Sequence, residues 1–353
     1  MADTKPIKAV VVDDAAFMRR QLVEVLSRSD EIEVVAVARH GVEALDAIKT
    51  LHPDVVTLDV DMPVMDGLTT IKHIMIKHPV PVVMVSGLAD HGKITFEALR
   101  LGAIDFFPKP SGTISKDIKD KGTELIETLK LAARANPLAI KRAFSHAGSC
   151  CQQKAPKEMQ GVVLILAGRG AVSSFIRLVT ALEGLNNLGF ISVQHVSETV
   201  LTAYGRELTG LLDCVPYSGQ GIRLKTRRCV LISEEKVPGV RNGKKDSPFE
   251  LEGTVNNLNE FASKLSKTLG NRLCTVVLGG EVPDDPSFLS EISSQGGQVY
   301  ALHPDRCVCS DFPQLIREKG LGHIASGEHD LWRHVQTFSR RLLLEEAQKG
   351  SNR

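Results

Sequence analysis

Short apolar runs alternate with amphipathic ones through the first third of the chain. Ile7 to Val12, Val34 to Val37, Val55 to Leu58, Val80 to Val85 and Ile104 to Phe107 are short and predominantly apolar. Between and after them, Phe17 to Leu26, Val42 to Leu51, Leu68 to Ile76, Ile94 to Leu101 and a closing stretch near Thr123 to Arg134 repeat their apolar residues at helical spacing. A strand buried on both faces reads as an unbroken apolar run because neither side meets water, whereas a surface helix shows one apolar stripe. The pattern predicts an α/β fold: a five-stranded parallel sheet of the flavodoxin-like kind, covered by helices on both faces, over residues 1–134.

From 135 to 160 the periodicity fades into ANPLAIKRAFSHAGSCCQQKAPKEMQ, which reads as a flexible or partly helical connector. A second α/β pattern then opens with Val162 to Ala167, a Gly168-Arg169-Gly170 turn and a helix from about Ser173 to Leu185. Later strands are expected at Phe190 to Gln194 and Cys274 to Leu278. They predict a doubly wound α/β domain over 161–345, with 346–353 as a tail.

The functional edge of such sheets is the carboxyl end of the strands. In the first domain that edge collects a consistent set of groups. Strand one ends in Asp13-Asp14, strand three in Asp59, strand four in Ser86, and strand five is followed by Lys109-Pro110. Asp13, Asp14 and Asp59 supply hard oxygen ligands for Mg²⁺, with the backbone carbonyl of Asp61 as a further ligand. Asp59 then reads as a nucleophile that accepts a phosphoryl group. Lys109 is suited to pair with a phosphoryl oxygen and Ser86 to hydrogen-bond another. Taken singly, Asp14 reads as a helix cap, Asp66-Gly67 as a turn and Ser86-Gly87 as a loop. Four strand ends carrying these types together do not. In the second domain a histidine, His195, and an acid, Asp284, follow neighbouring strands, two thirds of a hydrolytic triad.

Composition narrows the setting. The chain has 353 residues, 42% hydrophobic and 24% charged, enough for two domains with separate cores. A formal net charge of +1 with no block of like charge gives no basis for nucleic-acid binding. No apolar run approaches the roughly 18 residues needed to span a bilayer, and the polar start leads directly into a strand, so no membrane insertion and a cytoplasmic location are expected. The seven cysteines, scattered from Cys150 to Cys309, do not form a disulfide framework, and reduced thiols are expected. Cys307-Val308-Cys309 near His303 is too tightly spaced for a metal site without a second pair and reads as a buried strand end.

The segments VVDDAAFMRR, PDVVTLDVDMPVMDG, PVVMVSG and GAIDFFPKPSG resemble the receiver domain of two-component response regulators across the whole first domain. The resemblance implies Asp59 as phosphoacceptor, Asp13 and Asp14 as metal-site acids, Ser86 as switch hydroxyl, Lys109 as active-site lysine and Phe106 as switch aromatic. The domain order and the VQH segment at Val193 to His195 resemble the chemotaxis protein-glutamate methylesterase (CheB) family. That implies a chemotaxis-type histidine kinase and methyl-accepting chemoreceptors as partners, and a triad with His195 as base and Asp284 as its acid. The nucleophile departs from the pattern. Where the family has A-S-T-G-G after the first strand, this chain has Ala167-Gly168-Arg169-Gly170-Ala171, which puts Gly168 at the serine position.

Glycine has no side-chain oxygen, so the acyl-enzyme route is closed at that position. Glu281 replaces the methionine expected at the oxyanion corner, with the wrong charge for that task. Ser173 and Ser174 lie a turn into the next helix and Ser192 lies within a strand, so none occupies the strained corner a nucleophile uses. Two functions compete on these grounds. In one, a phosphorylation-controlled regulator has a degenerate esterase domain that binds or competes, with His195 and Asp284 as relics. In the other, an active methylesterase or glutamine deamidase uses an altered nucleophile or a water activated by His195. Activity gained on Gly168→Ser would mark a site competent apart from its serine.

Overall fold

A computed structural model describes residues 5–87, 91–109, 116–135, 159–182, 185–196, 198–208, 212–242, 249–255 and 257–351. The chain divides into two compact units, Met1–Ser145 and His146–Arg353. Most of the expected connector, with Cys150 and Cys151, lies outside the described residues, as does Pro110.

The first unit runs β1 (Ile7–Val12), α1 (Ala16–Leu26), β2 (Ile32–Ala38), α2 (Gly41–Leu51), β3 (Val55–Leu58), α3 (Gly67–Lys77), β4 (Val82–Ser86), α4 (His91–Arg100), β5 (Asp105–Pro108) and α5 (Lys116–Ala133). All strand pairs are parallel, in the order β2-β1-β3-β4-β5. The chain leaves β1 to one side for β2 and returns to the other for β3. The crevice outside β1 and β3 is therefore the topological switch point of the sheet. Asp13, Asp14 and Asp59 follow those two strands. Every residue of β3 and β4 is buried, which is why these strands are almost wholly apolar.

The second unit contains β6 (Gly161–Ala167), α6 (Val172–Ala181), β7 (Leu188–Gln194), α7 (Glu198–Leu208), β8 (Asp213–Pro216), β9 (Ile222–Arg223) and β10 (Arg228–Ser233). It continues through β11 (Gly239–Asn242), β12 (Phe249–Glu252), α8 (Leu258–Leu269), β13 (Leu273–Gly279), α9 (Phe288–Ser294), β14 (Gln298–Leu302), α10 (Asp311–Lys319), β15 (His323–Ala325) and α11 (Glu328–Ser351). Seven strands form a parallel sheet in the order β15-β14-β13-β6-β7-β10-β8, with β6 at the switch point between β7 and β13. The remaining three, β11-β12-β9, form a small antiparallel sheet that the apolar pattern did not predict. These strands are short and carry cross-strand charge pairs, Arg223 with Glu250 and Arg241 with Glu252, so they leave no apolar run to read. Fully buried Phe249, Phe261 and Phe288 belong to the core on one face of the large sheet.

The helix α11 is fastened to α6 by Glu328, whose Oε1 accepts from Ser174 Oγ and Arg177 Nε, each at 3.0 Å. Burial pushes the Glu328 carboxyl up, but the Arg177 charge and these hydrogen bonds outweigh it and hold the pKa below the ordinary value. A carboxylate depressed by folding contributes stability above its unfolded pKa, about 4.3, and loses it as pH falls through the folded value. Both side chains of the pair are 19% exposed, between a surface and a buried pair, and Glu328→Gln is expected to cost about 1–2 kcal/mol at pH 7. Urea denaturation should show that difference shrinking once the pH drops below about 4.

Candidate functional site

The carboxyl edge of the first sheet brings the expected acids together. One carboxylate oxygen from each of Asp13, Asp14 and Asp59 falls within 4.8 Å of the others. Asp13 and Asp59 are buried at 0% and 2% exposure, while Asp14 faces solvent. Asp14 caps nothing: the helix α1 begins after Ala15, which has no side-chain cap, and it is Asp13 Oδ1 that accepts the Ala15 N–H at 2.9 Å.

Lys109 Nζ lies 2.8 Å from Asp13 Oδ2 and 2.8 Å from Asp59 Oδ2. Burial works against its ammonium, but the hydrogen bonds and charges of Asp13 and Asp59 prevail and hold its pKa above the ordinary value. Asp59 behaves in the complementary way: burial raises its pKa, and Lys109 only partly offsets this. The site as it stands is crowded with negative charge around one lysine. Asp13 Oδ2 is buried and, among the described residues, is served by the Lys109 ammonium alone. A buried carboxylate oxygen so served, with two more carboxylates in reach, is a donor set suited to a hard divalent cation.

The segment after β3 is shaped to hold Asp59. The Asp59 N–H donates to Val12 O at 2.9 Å, and its Oδ1 accepts the Val60 N–H at 2.8 Å. Asp61 sits two residues further on, its side chain exposed. Val64 has φ 67°, and the Met65 N–H reaches back to Pro63 O at 2.7 Å, a tight three-residue turn that strains a β-branched residue. Gly67 then passes directly over Asp59: its N–H donates to Val60 O at 2.8 Å, and a β-carbon on it would lie 2.2 Å from the Asp59 carbonyl oxygen. Ser86, 7% exposed, closes β4, and the Lys109 N–H donates to its carbonyl at 2.8 Å. Of the two phenylalanines before Lys109, Phe107 is in the core and Phe106 is half-buried. Arg19 carries no mark of a site residue in the sequence: its Nη1 donates to the carbonyls of Asp13 and Asp14 at 2.7 and 2.8 Å, fixing the acidic corner from above.

In the second unit, Gly168 and His195 meet at the carboxyl ends of β6 and β7, where the His195 N–H donates to Ala167 O at 3.2 Å. They line a small cleft with Glu234 and Glu281, floored by Leu166, Val193 and Phe312. Its free volume of about 30 Å³ has room for one or two waters. The histidine's acidic partner is Glu234, whose Oε2 is 2.8 Å from Nδ1. The hydrogen bond from His195 holds the Glu234 carboxyl below the ordinary value despite its burial. Asp284, the acid expected from the sequence, is exposed and makes no side-chain hydrogen bond or ion pair among the described residues. The sequence does carry a signal for Glu234, an acid two residues after the apolar run Cys229 to Ile232 and directly after the end of β10, which lies beside β7.

Arg169 fills the other side of the ring, with Nη2 2.8 Å from His195 Nε2 and Nε 3.3 Å from Glu281 Oε1. With Nδ1 facing a carboxylate and Nε2 facing a guanidinium, the imidazole donates from Nδ1 and accepts at Nε2. Cys307 is buried and donates its thiol to Leu278 O at 3.4 Å, but it follows a 3-10 turn, Pro304–Arg306, beyond the end of β14, and Cys309 is only partly buried, so the two are not a buried strand-end pair.

A receiver-type sheet with an acidic edge, followed in the same chain by an esterase-like α/β sheet, is the layout of a response regulator with an output domain. Residues 9–118 match the response regulator receiver domain and residues 163–329 match the CheB methylesterase domain. The chain is 30% identical over 338 residues to the protein-glutamate methylesterase/protein-glutamine glutaminase 2 of Carboxydothermus hydrogenoformans, covering 89% of this chain and 94% of that protein. It is 40% identical over 210 residues to a protein of the same description from Geobacillus kaustophilus, covering 59% and 60% of the two chains. The receiver domain of Thermotoga maritima CheB, a solved structure, is 41% identical and matches with a TM-score of 0.35, over 38% of this chain and all of that one. The protein belongs to the CheB protein-glutamate methylesterase family of response regulators. Among the described residues no helix is long and apolar enough to cross a membrane.

Proposed function

We propose that this protein is a phosphorylation-controlled regulator of a chemotaxis-like pathway whose esterase-like domain acts by binding rather than by hydrolysis. The observation that carries the reading is the ring of contacts around His195. Its Nε2, the atom a general base would offer to a hydroxyl or a water, already accepts from Arg169, and the residue at the nucleophile corner is Gly168. A water-based route has the same obstacle, since any water must displace the Arg169 guanidinium to reach that nitrogen.

In the receiver, Asp59 is the phosphoacceptor. Asp13, Asp14 and Asp59, with the Asp61 carbonyl, are the residues that would hold Mg²⁺. When bound, the ion would offset the carboxylate charge and that of the incoming phosphoryl oxygens. Lys109 moves from its carboxylate partners toward the phosphoryl group, Ser86 donates to another of its oxygens, and Phe106 changes its exposure in response. That is a two-state switch biased by a local charge change. The phosphodonor is a histidine kinase of the chemotaxis type, and the surface read by the output domain belongs to methyl-accepting chemoreceptors.

The test is methyl-ester release from methylated chemoreceptor membranes, with and without beryllofluoride on the receiver, beside a binding assay on the same membranes. Release at background with saturable, beryllofluoride-dependent binding is expected. Turnover that is robust in the wild type and lost in His195→Ala would replace this reading with that of an active enzyme.

A further inference from the structure

We infer that Gly168 is one half of a reciprocal glycine pair with Gly280, and that the pair closes the nucleophile corner so that a serine returned to position 168 does not fit. The inference deepens the reading of the output domain as non-hydrolytic, but its geometry is independent of any assay of activity.

A β-carbon built on Gly168 would stand 2.6 Å from Gly280 Cα and 3.0 Å from Gly279 O. One built on Gly280 would stand 2.7 Å from Gly168 Cα. Every atom in the way is backbone, so no rotamer change relieves the contact, and the ends of β6 and β13 would have to part. Their separation is opposed on both sides. The Gly168 N–H donates to Gly279 O at 3.1 Å, which draws the two ends together. Behind them, the Gly280 N–H donates to Cys309 O at 2.9 Å and Gly280 O accepts from the Phe312 N–H at 3.0 Å, so the segment cannot retreat without breaking its own bonds. Gly279 and Gly280 also have φ of 142° and 118°, conformations that side-chain-bearing residues rarely adopt.

The corner that lacks a serine is thus occupied by the backbone of the facing strand end. Even with room for a hydroxyl, its proton acceptor is engaged, because Arg169 Nη2 lies 2.8 Å from His195 Nε2. Restoring an esterase here requires rebuilding the 279–285 segment and removing Arg169, not one substitution.

The experiment uses the full chain in five forms: wild type, Gly168→Ala, Gly168→Ser, Gly168→Ser with Arg169→Ala, and Gly221→Ser as control. Gly221 has open space around it and an ordinary backbone, so its melting temperature should not change. Melting temperature and covalent labelling by a fluorophosphonate, a probe for activated serines, are read for each. Both Gly168 single variants should melt about 4 to 8 °C below the wild type, since an overpacked β-carbon is common to them. No form should take the fluorophosphonate. If Gly168→Ser does not fold, Gly168→Ala still decides. An alanine variant melting within about 1 °C of the wild type overturns the inference, as does a fluorophosphonate adduct on the serine of either serine variant. Ester release by the wild type would defeat the non-hydrolytic reading while leaving the melting comparison intact, so the two failures are distinguishable.

Discussion

Asp59→Asn is expected to abolish labelling of the protein by a small-molecule phosphodonor such as acetyl phosphate, with the rate falling about 100-fold or more, as when other enzymes lose their nucleophile. The argument is local. Asp59 Oδ2 is the oxygen facing Lys109 at 2.8 Å, whereas Oδ1 is engaged by the Val60 N–H at 2.8 Å. Asparagine is the same size and keeps an acceptor for Val60, but it has neither the charge nor the nucleophilic oxygen. It also removes one of the carboxylates crowded around Lys109, so the melting temperature should be unchanged or slightly raised. Intact-mass spectrometry after incubation with the phosphodonor would read both the extent and the number of phosphoryl groups. Label persisting in Asp59→Asn at the wild-type level would move the acceptor to another residue.

Gly67→Ala should be nearly as damaging although residue 67 carries no chemistry. Its β-carbon would come 2.2 Å from the Asp59 carbonyl oxygen and 2.9 Å from Val60 Cα, both backbone atoms of the segment that positions the acceptor. Either the start of α3 or the end of β3 must move by about an ångström, and displacements of that size commonly cost about 100-fold in rate. Overpacking of this kind also lowers stability by about 1–3 kcal/mol. Phosphodonor labelling slowed at least about tenfold, together with a lower melting temperature, is the expected pair of results. Wild-type labelling kinetics in Gly67→Ala would show that the approach of α3 to Asp59 does not govern the site.

The receiver edge was legible from sequence because its chemistry sits immediately after buried strands. Asp13, Asp59 and Ser86 each follow or end an apolar run, and parallel topology sends all such ends to one side. Arg19 was not legible in the same way. Its contribution is a side chain folding back to the carbonyls of residues 13 and 14, and an arginine on a helix has no sequence mark that separates this from solvation. The esterase-like cleft divides similarly. His195 and Gly168 follow from the segments around them, but Glu234 lies 39 positions beyond His195 and meets it through the pairing of β10 with β7.

The sequence by itself determined the two α/β layers, the acidic edge of the first and the absence of a serine after the opening strand of the second. Each of these is written in the period of buried strands and in the residue types that end them. Only the tertiary structure decided which acid serves His195, that Arg169 occupies its Nε2, and that Gly168 presses on Gly280. Those facts depend on which strand ends lie side by side and on differences of a few tenths of an ångström in the spacing of their backbones. A linear pattern records neither, because a glycine in a turn reads alike whether the space beside it is open or filled.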